Sequence, residues 1–162
     1  MLRWLSPAGL ALALTAAAVV APAAALASPP AVIRLVSVTT SYSSTDKFPK
    51  GPSVGDRQVF TSRLQNASAQ FGRPKGAVVG SDRSTLVVTR TIHALMKTVA
   101  RLPGGTIAVS GLLRAAAGGA VTVPVVSGTG LFQGARGTLT ILKPIDANTA
   151  VNVYRLTYGP VA

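Results

Sequence analysis

Beyond residue 30, apolar and polar positions alternate mostly with a period of two. Val32-Ile33-Arg34-Leu35-Val36-Ser37-Val38-Thr39-Thr40 is β-branched and apolar, which predicts a first strand. Ser43 to Ser53 is polar and holds Pro49, Gly51 and Pro52, so it reads as a loop. Asp56 to Leu64 alternates imperfectly and predicts a second strand. Asn66 to Gly76, with Gly72 and Pro74, predicts another loop. Ala77-Val78-Val79 and Thr85 to Thr89 predict a third strand, bent near Gly80. Thr91 to Ala100 fits two periods. Ile92, Leu95, Met96 and Val99 make a helical stripe. Ile92, Ala94, Met96, Thr98 and Ala100 equally make one strand face, with His93, Lys97 and Arg101 on the other. The strand reading is preferred, because the flanking segments are strands and no helix cap precedes it.

Pro103-Gly104-Gly105 is a strong turn signal, and Thr106 to Ser110 follows it as a hairpin partner. Gly118-Gly119 turns the chain again. Val121 to Val126 predicts a strand, with Pro124 at an edge or bulge. Gly128 to Gly137 reads as a glycine-rich connection, Thr138 to Leu142 as a strand and Lys143 to Asn148 as a loop. Val151 to Tyr158 is the last strand. The expected fold class is therefore all-β. Eight strands with short connections pair antiparallel and close into a barrel, either filled or holding one small ligand.

The first residues depart from this pattern. Arg3 is followed by an apolar, Ala-rich run from Leu5 to Leu26 and by Ala25-Leu26-Ala27, a small-x-small exit. That order predicts a secretory signal peptide over 1–27, cleaved after Ala27, and a single β-barrel domain over 28–162. The expected location is extracellular, with no stable membrane span after cleavage. The chain has no Cys, and its Arg outnumber Lys 11 to 5. Export without disulfides and the Ala-rich leader point to a bacterial source.

Composition narrows the chemistry. The 16 Lys and Arg against 4 acids, all of them Asp, give a net charge of +12, and one His is present. Cys-based zinc sites, Cys nucleophiles and glycosidase pairs containing Glu are excluded. The expected metal content is none. Gly128-Thr129-Gly130 with Gly134 superficially suggests a dinucleotide loop, but a strand follows it, not the helix such a loop needs. His93 shares a predicted face with Lys97 and Arg101, so it is expected at the surface. Its triad partners, Asp56, Asp82 or Asp146 with a Ser, are only arithmetically available, since no Gly-x-Ser-x-Gly elbow exists. Tyr154 and Tyr158 share a face of the last strand with Asn152 and Leu156. Inward, they would hydrogen-bond a ligand; outward, they would lie at a rim or an interface. The basic residues are dispersed and not interleaved with aromatics, so no nucleic-acid partner is expected. A solvated basic surface, attractive to acidic polymers or anionic ligands, is the reading that remains.

Three ordered blocks add to this. They are Gly55-Asp56-Arg57-Gln58-Val59-Phe60, the stretch Leu102 to Gly111, and Val123 to Gly137 with its Gly-Thr-Gly-x-Phe-x-x-Ala-Arg-Gly run. Together they resemble the allene oxide cyclase and dirigent-like, calycin-like barrels over roughly residues 31 to 159. The resemblance implies an eight-stranded antiparallel barrel, often a homotrimer, working without a cofactor. It implies an apolar or phenolic small molecule as partner, bound and guided through cyclisation or stereoselective coupling. The alternative is a non-catalytic ligand-binding or structural barrel of the cell envelope. Phe60 matches the aromatic of the cyclase Gly-Asp-x-x-x-Phe motif and is the expected pocket wall; Asp56 is expected to shape the turn. The chain lacks the cyclases' Glu, with Thr39 or Thr40 in its place, and lacks the early His-Asp of dirigent proteins. Candidate ligand-binding residues are Phe60, Tyr42, Arg57, Arg83, Tyr154 and Tyr158, with an inward Arg57 or Arg83 anchoring a carboxylate.

Overall fold

Alternation gives each strand one face that is apolar over part of its length, and eight such faces bury one another only if the sheet curls onto itself. The chain does this in a computed structural model, which describes residues 28–48, 50–51, 53–90, 93–114, 119–142 and 148–159. The expected leader, Pro49, Pro52, Ile92, Gly118 and most of the Lys143 to Asn148 loop lie outside the described residues. The strands are β1 (Val32–Thr45), β2 (Arg57–Asn66), β3 (Val78–Arg90), β4 (His93–Leu102), β5 (Gly105–Arg114), β6 (Val121–Gly130), β7 (Ala135–Ile141) and β8 (Thr149–Tyr158). Each pairs with its neighbour in sequence, and β1 pairs with β8, closing the barrel. All eight pairings are antiparallel. No helix among the described residues is long and apolar enough to cross a membrane.

The ambiguous segment is a strand. Ala94, Met96, Thr98 and Ala100 face the interior, while Lys97, Val99 and Arg101 are exposed or face outward. Three expected boundaries move. β1 continues through Ser43 to Thr45, pairing with Gln58 and Arg57. β3 runs unbroken from Val78 to Arg90, so the polar stretch Ser81 to Ser84 is strand. β6 extends to Gly130 and β7 begins at Ala135, which shortens the glycine-rich connection to a tight turn. Pro124 pairs with Thr138 on β7, just past Val125↔Val109, where the β5–β6 ladder ends after a register shift. Its missing N–H thus costs no bond to β5.

The interior is filled at one end. There Ile33, Leu64, Leu102, Ile107, Val125, Ala135, Leu139 and Leu156 are buried, and Phe132 from the β6–β7 turn is fully buried among them. Local polar bonds fasten this floor. The Asn66 amide donates to the carbonyls of Gln70 at 2.8 Å and Arg73 at 3.0 Å, pinning the β2–β3 loop. Gln70 in turn bonds both the N–H and the carbonyl of Arg34 on β1. The Tyr158 hydroxyl donates to the Pro30 carbonyl at 3.0 Å.

Candidate functional site

The register fixes which side chains look inward. Thr39↔Ser62, Ser62↔Asp82, Asp82↔Ala100 and Ser84↔Thr98 place these residues on the inner wall of adjacent strands. On the far side, Leu35↔Asn152 and Ile33↔Tyr154 do the same for β8. Above the apolar floor a polar belt interrupts the core, beside the buried Leu35, Met96, Val109 and Val123. Ser37, Ser62, Asp82, Thr98 and Asn152 are all buried, and the Ser84 and Thr98 hydroxyls bond each other at 2.8 Å.

Asp82 is the central group of this belt. Burial pushes its carboxyl up to about 6, and the Ser62 and Ser37 hydroxyls partly offset that by hydrogen bonding to it. Its Oδ1 is buried with no hydrogen-bond partner. Tyr154 is fully buried, and its hydroxyl also has no partner. Desolvation, then the Asp82 charge, raises the Tyr154 phenol far above its ordinary range, so it stays protonated. Native interiors rarely leave such groups unpaired. Here one donor and one acceptor without partners lie in one electrostatic neighbourhood.

Towards the other end the inward residues are only partly covered. Leu86, Leu113, Val121 and Ile141 pack on the core but stay half-exposed. Phe60, half-exposed, shares the inward phase of Ser62 on β2, and the Tyr42 ring meets it at a tilt with centroids 5.0 Å apart. A depression of about 220 Å³ opens beside this pair, lined by Tyr42, Gln58, Arg57 and Val88 among others. The barrel thus has a closed floor, a polar belt and a partly apolar mouth.

The expected site residues distribute unequally over this architecture. Phe60 is on the mouth wall. Tyr42 is 54% exposed at the rim. Tyr154 is in the belt, and Tyr158, on the same inward face, is committed to Pro30 at the floor. Arg57 and Arg83 are a correction to the expectation of an inward guanidinium. Both are exposed, on the outward face of β2 and β3 that also carries Thr61 and Thr85. The alternation explains this: they are out of phase with Phe60, Ser62 and Asp82. His93 is half-exposed in the outward phase of Lys97 and Arg101, as expected, with Nδ1 buried and unbonded beside Thr89, Arg90 and Leu112. Asp56 shapes its turn as expected. It accepts from the N–H of Ser53 and of Lys47, both at 2.8 Å, and these bonds hold its carboxyl below the ordinary value. Sequence reasoning missed Asp82 as a site residue, because Gly80-Ser81-Asp82 looked like a bend. Once β3 is continuous, its phase with Ser84, Leu86 and Val88 places it inside.

The barrel fold recurs in known structures. The pyocyanin demethylase structure superposes with a TM-score of 0.63 at 21% identity, covering 78% of this chain and 99% of that one. The Diels Alderase AbmU from Streptomyces koyangensis gives 0.61 at 18% identity, over 80% of this chain and 65% of that one. A pterocarpan synthase dirigent protein gives 0.58 at 13% identity, over 81% and 87%. At these identities the likeness is one of fold. A comparison with curated protein sequences finds no match. The family model for dirigent-like proteins matches residues 26–158, nearly the whole barrel and its lead-in. The chain belongs to the dirigent-like protein family.

Proposed function

We propose that this barrel binds an apolar or phenolic small molecule through its mouth and guides that molecule's cyclisation or stereoselective coupling. The observation that carries this reading is the pair of unpartnered groups, Asp82 Oδ1 and the Tyr154 hydroxyl, below a half-exposed apolar wall. A ligand with a hydroxyl at one end satisfies both, accepting from the Tyr154 phenol and donating to Asp82 Oδ1. Tyr154 donates to it, and Asp82, poised near 6, takes up or returns a proton at an adjacent position. The wall of Phe60, Leu86 and Leu113 covers the apolar remainder. It excludes water and restricts the flexible part to few conformers, which is where the rate gain of a ring closure arises. Solved neighbours named as a Diels Alderase and a pterocarpan synthase support a ring-forming role on this fold. A second reading, a passive carrier or structural barrel of the cell envelope, is favoured by the packed floor around Phe132.

Export after cleavage behind Ala27 and assembly as a homotrimer complete the proposal. Native mass spectrometry of the protein recovered from the producing organism's medium tests it. The expected species begins at Ser28 and carries one small molecule per barrel. A chain beginning at Met1 overturns the export, and a bare barrel that also fails to bind an environment-sensitive apolar dye overturns the ligand.

The two phenylalanines separate wall from floor. Phe132→Ala is expected to cost about 3–5 kcal/mol in urea unfolding, the usual range for a fully buried ring. Phe60→Ala is expected to cost clearly less and to weaken binding of the dye. A full core penalty at Phe60 with unchanged dye binding would place it in the packing instead.

A further inference from the structure

The outer wall of β2 to β4 is as distinctive as the interior. Arg57, Arg63, Arg83, Lys97 and Arg101 are all exposed on it. The registers arrange them in a lattice. Arg63↔Ser81 and Ser81↔Arg101 set two guanidinium groups either side of one hydroxyl. Arg83 lies two residues along the strand from Ser81, between Thr61 and Val99, and Lys97 faces Thr85. Cationic rows therefore repeat every two residues, roughly 7 Å along the strands, and Arg63 and Arg101, two strands apart in one row, are separated by roughly 10 Å. A groove of about 480 Å³ runs between them, lined by Thr61, Ser81, Arg83, Lys97 and Arg101 among others. Asp82 also borders this groove, but its side chain is buried, in the inward phase of Ser62 and Ser84. Among the described residues, no acid pairs with any of the five cations.

We propose that this groove binds a flexible phosphodiester chain without bases, of the poly(glycerol phosphate) type. Each chemical element of the groove matches such a chain. Guanidinium forks take phosphate oxygens in pairs, and the hydroxyls of Thr61, Ser81 and Thr85 add neutral donors. The spacing of the rows is that of successive phosphodiesters, which a single phosphate cannot bridge. Single-stranded nucleic acids are disfavoured because the outward residues between the cations are Val59, Val87, Leu95 and Val99, with no aromatic ring for bases to stack on. The inference is independent of the barrel interior and of what binds there.

Fluorescence anisotropy with labelled poly(glycerol phosphate), over a series of NaCl concentrations, tests it on the whole protein. Wild type should lose affinity linearly in log K against log salt, with a slope near −0.7 per phosphate engaged. The double variant Arg83→Ser/Arg101→Ser should make the slope shallower by roughly 1.4. Arg34→Ser/Arg155→Ser removes the same charge from the β1–β8 side and should leave the slope unchanged. Thermal melts verify that both variants remain folded. Equal losses in the two double variants would reduce the effect to net charge and overturn the site. Equal or tighter binding of oligo(dT) would assign the groove to nucleic acid instead. Equal binding of poly-glutamate would remove the preference for phosphate, and equal binding of inorganic phosphate would remove the chain.

Discussion

Gly130→Val is expected to abolish cooperative folding of the barrel. Gly130 ends β6 with φ +59°, a left-handed conformation that a β-branched residue essentially never adopts. Space is a second, independent obstacle: a Cβ there would collide with the Gly104 carbonyl oxygen. That carbonyl accepts from the Leu131 N–H at 2.7 Å, so it belongs to the bonding that joins the β4–β5 and β6–β7 turns. Relief requires prying those turns apart. The Phe132 side chain would then leave the floor, adding core loss to backbone strain. Far-ultraviolet circular dichroism during heating checks this. A sigmoidal transition at the wild-type temperature would show that the turn has room to rearrange. His93→Ala, on a half-exposed outer position, is the useful contrast and is expected to change stability little.

The second large effect is a pH dependence set by one residue. The folded barrel holds the Asp82 carboxyl up at about 6, against 3.8 for the free group. The native state therefore binds this proton more tightly than the unfolded chain does. Its contribution to stability is fully present below about pH 4 and is lost as pH rises through about 6. The loss amounts to about 3 kcal/mol by neutral pH, because the interval between the two values spans roughly two pH units and each is worth about 1.4 kcal/mol. Asp82→Asn keeps the shape without the charge, so its stability should not fall over that interval. Asp56, whose carboxyl is held low, acts in the opposite direction in both proteins and cancels in the difference. Urea unfolding at several pH values between 4 and 8 measures it. Parallel profiles for the two proteins would mean that water or a counter-charge reaches Asp82 in the folded state.

The fold is legible where burial imposes a pattern. In β4 one face is wholly interior, so Met96, Thr98 and Ala100 alternate with exposed neighbours and the period reads directly; on β8 the same reading holds from Tyr154 on, where exposed Arg155 separates it from Leu156. It is less legible where a strand extends past the core. Tyr42 to Thr45 on β1 are exposed, so no apolar alternation marks them as strand. Glycines mislead at β6, where Gly128 and Gly130 serve close backbone approach inside a ladder, not a loop. The site divides on the same grounds. Phe60 is found through a motif and Tyr154 through its shared face with Leu156. Arg57 and Arg83 fall on the side opposite to the expected one, because a single strand's pattern gives two faces without saying which is interior. That choice is made by all eight strands together.

The seam between β1 and β8 has a consequence in time. Ile33 finds its partner in Tyr154, so the first strand of the barrel waits for the eighth. At ordinary rates of synthesis that delay is on the order of 10 s, long compared with the time a hairpin needs to form. During it, β1 and whichever strand was made most recently offer two bare edges, each able to capture a strand from another molecule. A ring of strands has no partially useful version. Cutting the chain before Thr149 does not trim the barrel by one stave; it leaves an open sheet with two edges. Until β8 is made, such a sheet stays open to pairing with strands of its own copies.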